Sequence, residues 1–175
     1  MTHRLSYLAV GCVLAGLLAL GLFGPWSSSS TVAAKLPATL PALEGGPVVV
    51  LPKLGGPIGT PVVMTFFASW CAPCETEMPA LARFARNAKA RGVKLTFIGV
   101  DENDQSGGRA FAQRVGVDFA VGSDPYGVVL EDLGAPPALP QTIFIDSAGT
   151  IVHHTYGSVT SGSTLQTWVR SLTGS

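Results

Sequence analysis

The stretch "PVVMTFF", Pro61 to Phe67, runs with one residue's interruption into "SWCAPCETEMP", Ser69 to Pro79. A continuous apolar run of strand length has the pattern of a strand buried on both faces. The segment behind it carries apolar residues Met78, Leu81, Ala85 and Ala88 at helical spacing, with Arg83, Arg86 and Lys89 facing away and Gly92 as its stop. A strand buried on both faces and followed at once by an amphipathic helix demands an α/β sheet with helices over it. Pro79 inside the helix is expected to kink it. The row Arg83, Arg86, Lys89 and Arg91 reads as a solvated helix face.

Further elements follow the same logic. "VKLTFIGV" (Val93 to Val100) is a second buried strand, and Arg109 to Val115, closed by Gly116, a short helix. A brief strand near Phe119 and a short helix around Tyr126 to Leu133 come next. "QTIFID" and "TIVHHTY" form a hairpin across Ser147, Ala148 and Gly149. A last helix presents Leu165, Trp168, Val169 and Leu172 on one face, with Ser161 or Ser163 as N-cap. "VVVL" (Val48 to Leu51) is a further apolar run of strand length.

The junction between the buried strand and its helix holds two of the chain's 3 cysteines. Cys71 falls where the helix begins, beside unpaired backbone N–H groups that carry about half a positive charge, so its thiolate is favoured over its thiol. Cys74, one turn on, can reach back and close a ring. The chemistry this spacing supports is disulfide exchange. Cys71 attacks a substrate disulfide, a mixed disulfide forms, and Cys74 displaces the substrate. Structural zinc would need a second ligand pair. The third cysteine, Cys12, lies in an apolar run, and adjacent His153 and His154 on a strand face opposite sides. Haem attachment would need His after Cys74, where Glu75 stands. A purely structural disulfide here closes too small a loop to constrain the unfolded chain much.

The chain has 175 residues, 47% hydrophobic and 13% charged, with 11 basic and 11 acidic side chains. No nucleic-acid partner is implied by that balance. The run Leu5 to Phe23 carries no charge, and as a helix it is about 28 Å long, enough for a bilayer's hydrocarbon core. Arg4 precedes it and no basic residue follows until Lys35, which leaves the amino terminus in the cytoplasm and the rest outside. A cleaved signal peptide competes, with "VAA" at Val32 to Ala34 as its cut site. Both readings export the domain. The expected organisation is a cytoplasmic start and membrane anchor or signal peptide over 1–24, a Ser-, Ala- and Pro-rich tether over 25–41, and one domain over 42–175.

"FFASWCAPCETEMP" together with "LPQTIFIDSAGTI" resembles the membrane-anchored, extracytoplasmic thioredoxin-like proteins of the TlpA/ResA/DsbE type, from roughly Leu43 to Leu172. The resemblance implies a thioredoxin fold: a central mixed sheet flanked by helices, with a strand and helix inserted between Phe97 and Pro140. It further implies a cis peptide between Leu139 and Pro140 beside the cysteine pair. Leu139 and Pro140, with Trp70 and Pro73, would then form the substrate groove, where the backbone beside a proline stays free to pair with an incoming strand. At Thr65 the cytoplasmic relatives carry a buried Asp that moves protons for the resolving cysteine. Thr cannot titrate, and Glu77, one turn from Cys74, is the best substitute base, its bland alternative being a solvated helix carboxylate. Glu75 should oppose the Cys71 thiolate slightly.

The function implied is an extracytoplasmic thiol-disulfide oxidoreductase that reduces protein disulfides, working as a monomer without a cofactor. By resemblance its partners are a disulfide-bearing exported protein, such as apocytochrome c in cytochrome c maturation, and a membrane-embedded thiol donor of electrons. Two other classes remain open: a thiol peroxidase of the same fold and a non-catalytic client-docking module. The peroxidase pattern has Thr three residues and Pro seven before its cysteine, where this chain has Ala68 and Met64.

The anchor reading has a direct outcome. Full-length protein is expected in the membrane fraction, with its domain cleaved by protease added from outside. A soluble form beginning near Lys35 would replace the anchor with a signal peptide, and a protected domain would reverse the topology.

Overall fold

The computed structural model describes residues 35–102 and 105–173. Two short strands open the domain, β1 (Thr39–Leu40) and β2 (Val49–Val50), followed by β3 (Val62–Phe67) and helix α1 (Ala72–Ala90). Then come β4 (Thr96–Asp101), α2 (Gln105–Arg114), β5 (Ala120–Ser123), α3 (Val128–Asp132), β6 (Gln141–Ile145), β7 (Ile151–Tyr156) and α4 (Gly162–Thr173). Five strands make the main sheet in the order β5-β4-β3-β6-β7. β3, β4 and β5 run parallel, and β6 and β7 are antiparallel to their neighbours. The mixed sheet and flanking helices are those the sequence resemblance implies.

β3 is central, and all six of its residues are buried. Strand periodicity divides them between two cores. Val63 and Phe67 pack with Met78 and Leu81 of α1, Phe111 of α2 and Leu165 and Val169 of α4. Val62, Met64 and Phe66 pack on the other face with Val129 and Leu130 of α3 and with Leu40, Val49 and Leu51 of the amino-terminal segment. β3 leads through Ala68–Trp70 directly into α1, and that places Cys71 at the C-terminal end of the central strand.

Several boundaries differ from the sequence expectation. Val93 to Leu95 stay outside β4, which starts at Thr96. α1 continues through Pro79 as one helix. "VVVL" does not join the main sheet: only Val49–Val50 forms a strand, paired antiparallel with Thr39–Leu40. Burial there alternates, with Val48 and Val50 exposed and Val49 and Leu51 buried, so a run that reads as fully apolar has one wet face. Thr39–Leu40 falls within the stretch read as tether. The proposed anchor, Leu5 to Phe23, lies outside the described residues, and among the described residues no helix is long and apolar enough to cross a membrane.

The amino-terminal segment is tied to β5 by backbone hydrogen bonds from Ser123 N to Pro41 O and from Leu43 N to Val121 O, both 2.8 Å. Gly122 permits this crossing. A Cβ there would lie 2.7 Å from Leu40 Cβ, a separation that forces backbone to move. Gly122→Ala is therefore expected to destabilise the domain by about 1–3 kcal/mol in urea unfolding. An unchanged midpoint would mean that the segment over β5 adds no stability.

Candidate active site

Cys71 is the N-cap of α1, in extended conformation, with Pro73 in the first turn. Its Sγ accepts a hydrogen bond from Cys74 N at 3.2 Å. The helix terminus thus directs a backbone N–H at the first sulfur, as the sequence position requires. Cys71 and Cys74 are joined as a disulfide with S–S 1.97 Å. In this form both are buried, Cys71 4% and Cys74 0% exposed. Trp70 is 68% exposed beside them, and Pro73 is exposed. The Leu139–Pro140 peptide is cis, at the entry to β6, with Leu139 half-buried and Pro140 buried.

Glu77 is fully buried, one turn beyond Cys74 on α1, where helix geometry brings side chains to within about 5–6 Å at Cβ. Oε1 accepts from Val159 N at 3.1 Å and lies 3.2 Å from Thr142 Oγ1. Oε2 is buried with no hydrogen-bond partner among the described residues. Burial raises the carboxyl from 4.5 to about 7 against the opposing pull of those two bonds. The solvated-carboxylate alternative therefore does not describe Glu77. Thr65 is the cross-strand partner of Thr142, and their hydroxyls are 3.1 Å apart. Glu77, Thr142 and Thr65 form one polar thread through an otherwise apolar core.

One electrostatic expectation changes. Glu75 is paired with Arg114 of α2 at 2.8 Å, both about half exposed, so its opposition to the Cys71 thiolate is offset by a cation that sequence spacing could not reveal. A second, half-buried acid lies at this end of the sheet. Glu102 follows β4, its backbone N–H bonded to Phe67 O at 2.9 Å. Its carboxyl is pushed up to about 7, chiefly by burial and then by Asp124 and Asp101.

Three consecutive residues beyond β7 were not signalled by any motif. Gly157 N donates to Pro140 O at 2.9 Å, Ser158 Oγ donates to Pro73 O at 2.9 Å, and Val159 N holds Glu77. Gly157 has φ 90°, a conformation suited to glycine. The clasp links Pro140 of the cis peptide, the cysteine turn and the buried acid.

A model described as the AhpC/TSA family matches residues 33–154. The chain belongs to this family. Thiol-disulfide oxidoreductase ResA of Bacillus subtilis is 31% identical over 102 residues, 58% of this chain and 56% of that protein. The match thus spans little more than half the length of that relative. DsbF of MTB, a solved structure, aligns with TM-score 0.63 at 26% identity, covering 79% of this chain and 100% of that one. A secreted Mycobacterium tuberculosis disulfide oxidoreductase homologous to E. coli DsbE aligns with TM-score 0.64 at 24% identity over 77% and 95% of the two chains. That likeness speaks to the fold, which is thioredoxin-like.

The raised Glu77 carboxyl fixes the sign of a pH effect. A folded-state value above the unfolded 4.5 means that its contribution is fully present below pH 4.5 and is lost as pH rises through about 7. Ionising it in place costs about 3 kcal/mol. In the oxidised protein, Glu77→Gln should match wild type near pH 4 and exceed its unfolding free energy by about 2–3 kcal/mol at pH 8.5. Glu102, raised likewise to about 7, adds a comparable slope to both proteins, so the difference between them reads Glu77. Parallel curves for the two proteins would mean that Glu77 titrates normally.

Proposed function

We propose that the chain is an extracytoplasmic thiol-disulfide oxidoreductase that reduces disulfides in exported proteins. The observation that carries this reading is the fully buried Glu77 carboxyl one turn from Cys74, pushed up to about 7. A group with that affinity both accepts and releases a proton at neutral pH. The cycle begins with the Cys71 thiolate, supported by the helix terminus, attacking a substrate disulfide in the groove of Trp70, Pro73, Leu139 and Pro140. A Cys71–substrate disulfide forms and the first substrate sulfur leaves as thiolate. Glu77 takes the Cys74 proton. The Cys74 thiolate then attacks Cys71 Sγ, the second substrate sulfur leaves, and the protein holds the Cys71–Cys74 disulfide. Two electrons have passed to the substrate, and a thiol donor in the membrane returns them.

The reducing direction is supported by the modest stabilisation at Cys71: one helix terminus, and no Lys or His in the turn. Apocytochrome c haem-binding cysteines are the client that the sequence resemblance favours. Membrane anchoring through Leu5 to Phe23 would hold the enzyme where exported chains emerge. Ala68 and Met64, in place of the Thr and Pro of thiol peroxidases, support exchange over peroxide reduction.

Insulin reduction with dithiothreitol as donor is expected from wild type and absent from Cys71→Ser. Cys74→Ser should accumulate a mixed disulfide through Cys71, readable by mass spectrometry together with its client. Equilibration in glutathione and dithiothreitol buffers is expected to give a potential more negative than about −200 mV. A value near −120 mV, on the same scale, would make the protein a disulfide donor and reverse the cycle.

A further inference from the structure

A run of side-chain hydrogen bonds connects the surface of β7 with the segment entering β6. Gln141, the first residue of β6, is fully buried. Its Nε2 lies 2.7 Å from Pro136 O and 2.6 Å from Ala138 O. Carbonyls only accept, so the amide nitrogen must face them with both hydrogens engaged, and Oε1 is left as an acceptor. His154 Nε2 stands 2.8 Å from that oxygen. The imidazole is thereby assigned: Nε2 carries a hydrogen, and Nδ1 of the neutral ring accepts. Tyr156 stacks on the ring with centroids 4.4 Å apart and has its hydroxyl 3.3 Å from Nδ1, where it donates. Burial lowers the His154 pKa, which favours this neutral form. Each donor in the run meets an acceptor, and no position is left ambiguous.

The segment so held has little else to fix it. Pro136 and Pro137 lack a backbone N–H, residues 136–138 are exposed, and none lies in a helix or strand. Ala138 N bonds only locally, to Pro136 O at 2.8 Å. Leu139 follows at once, and its backbone is the part of the proposed groove that a polypeptide would pair with. We propose that Gln141, oriented by His154 and Tyr156, is a positioning residue that sets the Ala138–Leu139 backbone for pairing with polypeptide disulfide substrates. This rests on the reading of the chain as a protein-disulfide reductase. It adds a basis for discrimination, since a small disulfide has no backbone to lay along Leu139 and gains nothing from the brace.

The test uses the full-length chain with two substrates, insulin and 2-hydroxyethyl disulfide. His154→Leu removes the donor to Gln141 Oε1 at a half-buried site and frees the amide to turn. It is expected to raise KM for insulin about five- to ten-fold with kcat held within about twofold. Preference for insulin over the small disulfide should fall by the same factor. His154→Gln, whose amide nitrogen can again donate to Gln141 Oε1, should recover most of both. A general loss of structure would lower turnover of the two substrates alike. That outcome, or an unchanged insulin KM, overturns the proposal. Wild type that reduces 2-hydroxyethyl disulfide but not insulin would overturn the functional reading itself, and the role of Gln141 with it.

Discussion

The burial of one carboxyl beneath the cysteine turn organises this end of the molecule. Glu77 is on the inner face of α1, where the apolar pattern of the helix would place a hydrophobic residue. A charged carboxylate there lacks enough partners: Val159 N and Thr142 both address Oε1, while Oε2 has none among the described residues. The neutral acid is favoured until about neutral pH, which is unfavourable for stability and useful for proton transfer. The stability cost is the physical signature of the proposed function.

That arrangement depends on a distant piece of chain. Gly157, Ser158 and Val159 fasten Pro140, Pro73 and Glu77 in consecutive positions. Disulfide exchange needs an attacking sulfur, a resolving sulfur, a proton acceptor and a client backbone held in one geometry. Here the residues just beyond β7 bond the proposed proton acceptor, the turn between the two sulfurs and the proline of the proposed groove. The same strand carries His154, which reaches the approach to Pro140 through Gln141. β7 lies at the sheet's edge, yet it bears on the site more than its modest apolar burial suggests.

The parts of this plan that were legible in the sequence are those written in contiguous residues. The six buried residues of β3, the N-cap position of Cys71 and the β6–β7 hairpin each follow from local periodicity or turn chemistry. The Leu139–Pro140 bond was expected from the quoted motif. The "VVVL" run was legible as a strand, but apolar composition does not reveal that Val48 and Val50 are exposed. The charge on Glu75 could be read but its partner Arg114, 39 residues on, could not. Glu77 was legible as an acid one turn from Cys74. Its depth of burial was not, because that comes from Thr142 and Val159, which tertiary folding brings to it. Glu102 was missed for the same reason, as its raised carboxyl comes from burial and from acids on neighbouring segments.

The central claim is that Glu77 is a buried acid that titrates near neutrality. Infrared difference spectroscopy of the oxidised protein reads it directly through the carbonyl stretch of a protonated carboxyl. A band absent from Glu77→Gln should persist at pH 6 and disappear with a midpoint near 7. A Glu77-dependent band already lost by pH 5, as for a carboxyl with an ordinary value near 4.5, would contradict the account.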